Sequence, residues 1–95
     1  MSYSLYWARN DGIGGHVWLS ERDLRALSDE MLVQALPWPG DRLSVDGSRI
    51  SSDELEAILA AASPEPATLA DVKLWRDWLA FLEGATRAGG ILVRS

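Results

Sequence analysis

From Ser2 to Ala8 the chain alternates, with Tyr3, Leu5 and Trp7 on one side of an extended segment and Ser4, Tyr6 and Ala8 on the other. A period of two is the mark of a strand, and rings on both sides predict a strand with neighbours on either flank. Arg9-Asn-Asp-Gly-Ile-Gly-Gly15 breaks the pattern with three glycines and an Asp-Gly pair, a turn or loop. His16-Val-Trp-Leu19 resumes it as a second short strand, antiparallel to the first.

The period then lengthens. Ser20-Glu-Arg-Asp23 has the form of a capping box with Asp in the Glu position, and Leu24, Leu27, Met31 and Ala35 follow at helical spacing. The spacing predicts a helix from Glu21 to Leu36, open to division at Ser28-Asp29, where a second cap is available. Pro37-Trp-Pro-Gly40 ends it, because proline cannot extend the hydrogen-bond ladder. Arg42-Leu-Ser-Val45 and Ser48-Arg-Ile50 flank Asp46-Gly47, a pair suited to the tight turn of a hairpin. Ser51-Ser-Asp-Glu54 is a capping box of the preferred composition and opens a helix through Leu55, Ile58, Leu59 and Ala62, which Ser63-Pro-Glu-Pro66 breaks.

Thr68-Leu-Ala-Asp71 predicts the cap of a last helix, from about Leu69 to Ala88, whose Val72, Trp75, Leu79 and Leu82 interleave with Leu74, Trp78, Phe81 and Ala85. So broad an apolar stripe requires more than one packing neighbour. Gly89-Gly90 supplies the stop and Ile91-Leu-Val-Arg94 a final strand. The whole predicts an α+β fold, residues 1–95 as a single domain, with a small mixed or antiparallel sheet of about 3–5 strands and 2–3 helices packed on one face.

Composition narrows the class. A hydrophobic share of 47%, with five Trp, is enough for one core and excludes wholesale disorder. The absence of cysteine excludes disulfides and thiolate zinc sites. No basic segment precedes an apolar run at the amino terminus, and no stretch approaches the ~20 apolar residues of a membrane span, so the expectation is a cytoplasmic protein without a membrane partner. A net charge of −5 argues against nucleic acid and anionic lipid. Eight of the nine basic residues are Arg, the usage of a GC-rich bacterial genome.

Candidate chemistry is sparse. His16, the only imidazole, follows Gly14-Gly15, but no pattern supplies the orienting carboxylate and nucleophile of a triad, and a structural or surface role is favoured. Gly12-Ile-Gly-Gly15 lacks the spacing of either nucleotide-binding loop, and Asp11 beside it would repel phosphate. Asp53, Glu54 and Glu56 sit at a helix start, where negative charge is stabilised without any catalytic role. Lys73, Arg76 and Arg87 are interspersed with Asp71, Asp77 and Glu83 and form no basic stripe. Trp38, between two prolines, either plugs the sheet or anchors a partner.

No motif points to a family, and no catalytic residue, metal or cofactor is expected. The leading expectation is a small acidic bacterial protein-interaction module, an adaptor, inhibitor or immunity-type protein acting by surface complementarity on a protein partner or on itself. Its candidate surface comprises Asp11, His16, Trp38 and a sheet edge at Ile91, Leu92 and Val93, where only Arg94 guards against pairing. The alternative is a small enzyme or ligand-binding domain with a pocket at the loop from Asn10 to His16.

Overall fold

The structure, a computed structural model, describes residues 2–9, 15–37 and 47–94. Strand β1 (Ser2–Trp7) is followed by β2 (His16–Ser20), helix α1 (Glu21–Val33), β3 (Arg49–Ile50), α2 (Ser52–Ala61), α3 (Val72–Arg87) and β4 (Ile91–Arg94). The strands form one sheet in the order β2-β1-β4-β3, with every neighbouring pair antiparallel. This is the expected α+β architecture, with three helices on one face of the sheet, and β1 has neighbours on both sides as its two ringed faces predict.

The sheet contradicts the expectation for Ile91, Leu92 and Val93. Their strand is no open edge: β4 lies between β1 and β3 and pairs with both. The turn after α3 puts it there. Gly89 and Gly90 hold φ of 82° and 104°, in the region that favours glycine. Gly90 also passes so close to β3 that a side-chain carbon on it would collide with the carbonyl oxygen of Ile50. The strand is thereby fed into the slot between its neighbours. Residues 42–45 of the expected hairpin lie outside the described residues, although Gly47 takes a φ of 84° and donates its N–H to the Val93 carbonyl at 2.8 Å.

Local signals set most helix ends. Ser51 accepts from the Glu54 N–H at 3.2 Å while the Glu54 carboxylate accepts from the Ser51 N–H at 2.9 Å, a complete capping box. Ser20 caps α1 by accepting from the Asp23 N–H at 3.1 Å. That helix runs unbroken past Ser28 and stops at Val33, short of the expected Leu36. The Leu36 N–H turns back to the Met31 carbonyl and the Ala35 N–H to that of Leu32, with Ala35 at φ 57°, so the carbonyls at the helix end are satisfied by a reversed turn. The cap of α3 is also displaced from expectation. Asp71 receives the Leu74 N–H at 3.0 Å, whereas Thr68 is engaged elsewhere.

One core joins the layers. Tyr3, Leu5, Leu19, Ile50, Ile91 and Val93 of the sheet meet Leu24, Leu27 and Met31 of α1, Leu55 and Ile58 of α2, and Trp75, Trp78, Phe81, Leu82 and Ala85 of α3. The breadth of the α3 stripe reflects these two contacts, with the sheet and with α2. Trp7 packs over Gly84 and donates its indole N–H to the Phe81 carbonyl at 3.1 Å, binding β1 to the same helix.

Candidate interaction surface

Strand alternation decides which side chains leave this core. Tyr3, Leu5, Val17, Leu19, Ile91 and Val93 point to the helices, so the residues between them share the opposite face, which no described element covers. The register places Tyr6 between His16 and Leu92, and Ser4 between Trp18 and Arg94. On this face the imidazole of His16 stacks on the Tyr6 ring, with centroids 4.5 Å apart and planes 20° from parallel. Trp18, two residues along the same strand, is 60% exposed. Trp75 and Trp78 are buried in the core, so this indole is not explained by the need for a core residue.

Beside that face runs an edge that no described strand pairs with. The Trp7 N–H donates to the Gly15 carbonyl at 2.8 Å, which makes residues 7 and 15 a hydrogen-bonded pair. In an antiparallel ladder such pairs alternate, so Val17 and Leu19 bond to β1 while the N–H and C=O of His16 and Trp18 point away from the sheet. None of the five residues from His16 to Ser20 carries a formal charge at pH 7, and none is proline, so the usual guards of an edge strand are missing.

The expected surface residues are therefore only partly assembled. His16 is exposed on β2; Asp11 and Trp38 lie outside the described residues. Leu92 is half-buried on the uncovered face, whereas Ile91 and Val93 are fully buried beneath the sheet. Trp18 was not singled out from the sequence, where it groups with the core tryptophans. Its signal was present nonetheless: it shares strand parity with His16 and Ser20, and Val17 and Leu19 make the better inward pair.

A second arrangement, absent from the sequence reading, is a buried carboxylate. Glu30 on α1 is fully buried and accepts from the N–H groups of Ala67, Thr68 and Leu69, each at 2.7 Å. It also accepts from the Thr68 hydroxyl at 3.0 Å and from the Gln34 amide at 2.8 Å. Burial pushes this carboxyl up, but the Ala67 N–H, the Gln34 amide and the Thr68 and Leu69 N–H groups outweigh it and hold the pKa at about 2. Gln34 extends the arrangement by accepting from the Ser63 N–H at 2.8 Å, and the Trp75 indole donates to the Ser63 carbonyl at 3.0 Å. With its acceptor capacity filled by the chain itself, Glu30 anchors the segment between α2 and α3; it offers no lone pair to a substrate.

The remaining polar features are ordinary. Lys73 pairs with Asp77 at 2.7 Å, Arg87 with Glu83 at 3.1 Å and Arg76 with Glu65 at 2.9 Å, all with exposed side chains, and the ammonium of Lys73 is held above its usual pKa by Asp77. A shallow groove of about 530 Å³ between α2 and α3 is lined by Leu59, Pro64, Arg76, Leu79 and Glu83 and holds no convergent set of polar groups. Among the described residues no group of three or more His, Cys, Asp and Glu could hold a metal ion, and no helix is long and apolar enough to cross a membrane.

No family model matches the chain, and neither the curated proteins nor the solved structures compared with it gave a match.

Proposed function

We propose that this chain is a small acidic protein-interaction module, an adaptor, inhibitor or immunity-type protein, that binds by surface complementarity through the uncovered face of its sheet. The observation that carries the reading is Trp18, an indole left 60% in solvent beside the stacked Tyr6 and His16 rings. Trp and Tyr are the residues that most often dominate the binding energy of protein contacts, because a rigid ring brings a large area at small entropic cost. The alternative of a pocket walled by residues 10–16 draws no support from His16, whose ring lies flat on Tyr6 at the exposed face.

The test is a paired capture from an extract of the source organism, comparing the wild type with Trp18→Lys and with Leu32→Lys, a control at an exposed apolar residue of α1. A specific partner retained by the wild type and the control, but weakened at least about tenfold by Trp18→Lys, is the expected result. Retention of every partner by the folded Trp18 variant would overturn the reading. His16→Gln should leave any activity within about tenfold, since no general base is assigned there.

A further inference from the structure

We infer that the free edge of β2 pairs with the β2 edge of a second copy of this chain, joining two sheets into one. The inference rests on the interaction-module reading and names its partner. The backbone N–H and C=O groups of His16 and Trp18, and by the same parity the N–H of Ser20, leave β2 on the side away from β1. A two-fold axis through Val17 sets His16 opposite Trp18 of the second copy and Trp18 opposite its His16. Both are then hydrogen-bonded pairs, and the outward groups of His16 and Trp18 are all satisfied. A register centred on Trp18 would instead oppose His16 to Ser20, the N-cap of α1, whose carbonyl is committed to the first turn of the helix.

Side chains favour the same register. Directly opposed residues share a face, so the Trp18 indole of one copy lies beside the His16 imidazole of the other, on the side away from Tyr6. The stacked Tyr6 and His16 pair becomes a row of three rings, and the axis repeats the row. Val17, on the helix side, meets Val17 across the axis. Charge selects the place: two copies at −5 each repel, and β2 is a stretch where neither brings a formal charge.

The contact is small. Trp18 contributes on the order of 100 Å² of ring per copy, and five paired residues fall below the roughly 1,200 Å² of a standard interface. A reversible dimer with a dissociation constant of roughly 10–100 µM is therefore expected, rather than a permanent one.

Sedimentation velocity of the purified chain over about 1 µM to 1 mM, bracketing that constant, is the direct measurement. Wild type should pass from monomer to dimer. Trp18→Lys, which places a charge on the edge, and His16→Pro, which removes an outward N–H that β1 does not use, should each raise the dissociation constant at least about tenfold without lowering the melting temperature of the monomer. A wild type that stays monomeric throughout overturns the inference, as does a dimer that both folded variants retain. The first outcome leaves the module reading standing if capture still depends on Trp18; a dimer combined with Trp18-independent capture does the reverse.

Discussion

Replacing Glu30 by Gln tests the least expected group in the molecule. The amide keeps one oxygen but turns an NH₂ towards N–H donors that the carboxylate had accepted, so bonds from Ala67, Thr68 and Leu69 are lost or set donor against donor. Hydrogen bonds to a charged partner contribute about 1.5–3 kcal/mol each at best, and Ala67 and Thr68 are exposed enough to recover water, so the expected cost at pH 7 is about 2–4 kcal/mol. Linkage gives an independent figure. A carboxyl lowered from 4.5 to about 2 stabilises the fold when ionised by up to ~3 kcal/mol, and by about 1–3 kcal/mol once screening by solvent beyond the thin, exposed loop that covers it is allowed for. Because the folded pKa is the lower one, this stability is fully present above pH ~4.5 and is lost as the pH falls towards ~2. Urea unfolding of wild type and Glu30→Gln should therefore show a gap that is constant from neutral pH to about pH 5 and shrinks below it, with amides 67–69 exchanging faster in the variant. A gap under about 1 kcal/mol at pH 7, or one that does not change between pH 5 and pH 2, would refute the account.

Four further expectations concern packing and chain geometry. Trp78→Ala empties a buried site between α3 and the sheet and should cost about 3–5 kcal/mol, read as a large drop in melting temperature; an unchanged temperature would remove Trp78 from the core. Gly84→Ala should destabilise despite alanine's better helix propensity of about 1 kcal/mol, because the methyl would occupy the space of the Trp7 indole, and a shift in tryptophan fluorescence should accompany the loss. Ala35→Gly should raise stability by about 0.5–1 kcal/mol by relieving a positive φ, and a lower urea midpoint would contradict that. Ser51→Ala removes the hydroxyl that accepts from the Glu54 N–H, leaves the backbone half of the cap on α2, and should cost about 1 kcal/mol by urea unfolding, with no effect on dimerisation.

What was legible in the sequence was local. The alternation of Tyr3, Leu5 and Trp7, the Ser51 box and the paired glycines after α3 each act over a few residues, and each forms the element it predicts. The departures arise where the deciding partner is remote. Thr68 and Asp71 both have the chemistry of a cap, and the choice is made by Glu30, which takes the N–H and hydroxyl of Thr68 and leaves Asp71 to begin α3. Glu30 looks like any carboxylate on an amphipathic helix until a loop from more than thirty residues away closes over it. The edge expected at residues 91–93 failed for the same reason: pairing between β1 and β4 joins opposite ends of the chain, and no local pattern encodes it. At the candidate surface, alternation in β2 defined two faces, but β1 had to be in place before Trp18 could be assigned to the open one.

The interior position of β4 also sets an order of events during synthesis. Strand β1 is made early, yet its second neighbour does not exist until residues 91–94 have left the ribosome, and β3 has no partner among the described strands before then. A nascent chain can therefore hold β1 against β2 and form its capped helices, but it cannot close the sheet. During that interval the apolar side of β1 and the sticky flank meant for β4 are both open to a chaperone or to a neighbouring nascent chain. The sheet therefore closes only once residues 91–94 can take their place between β1 and β3.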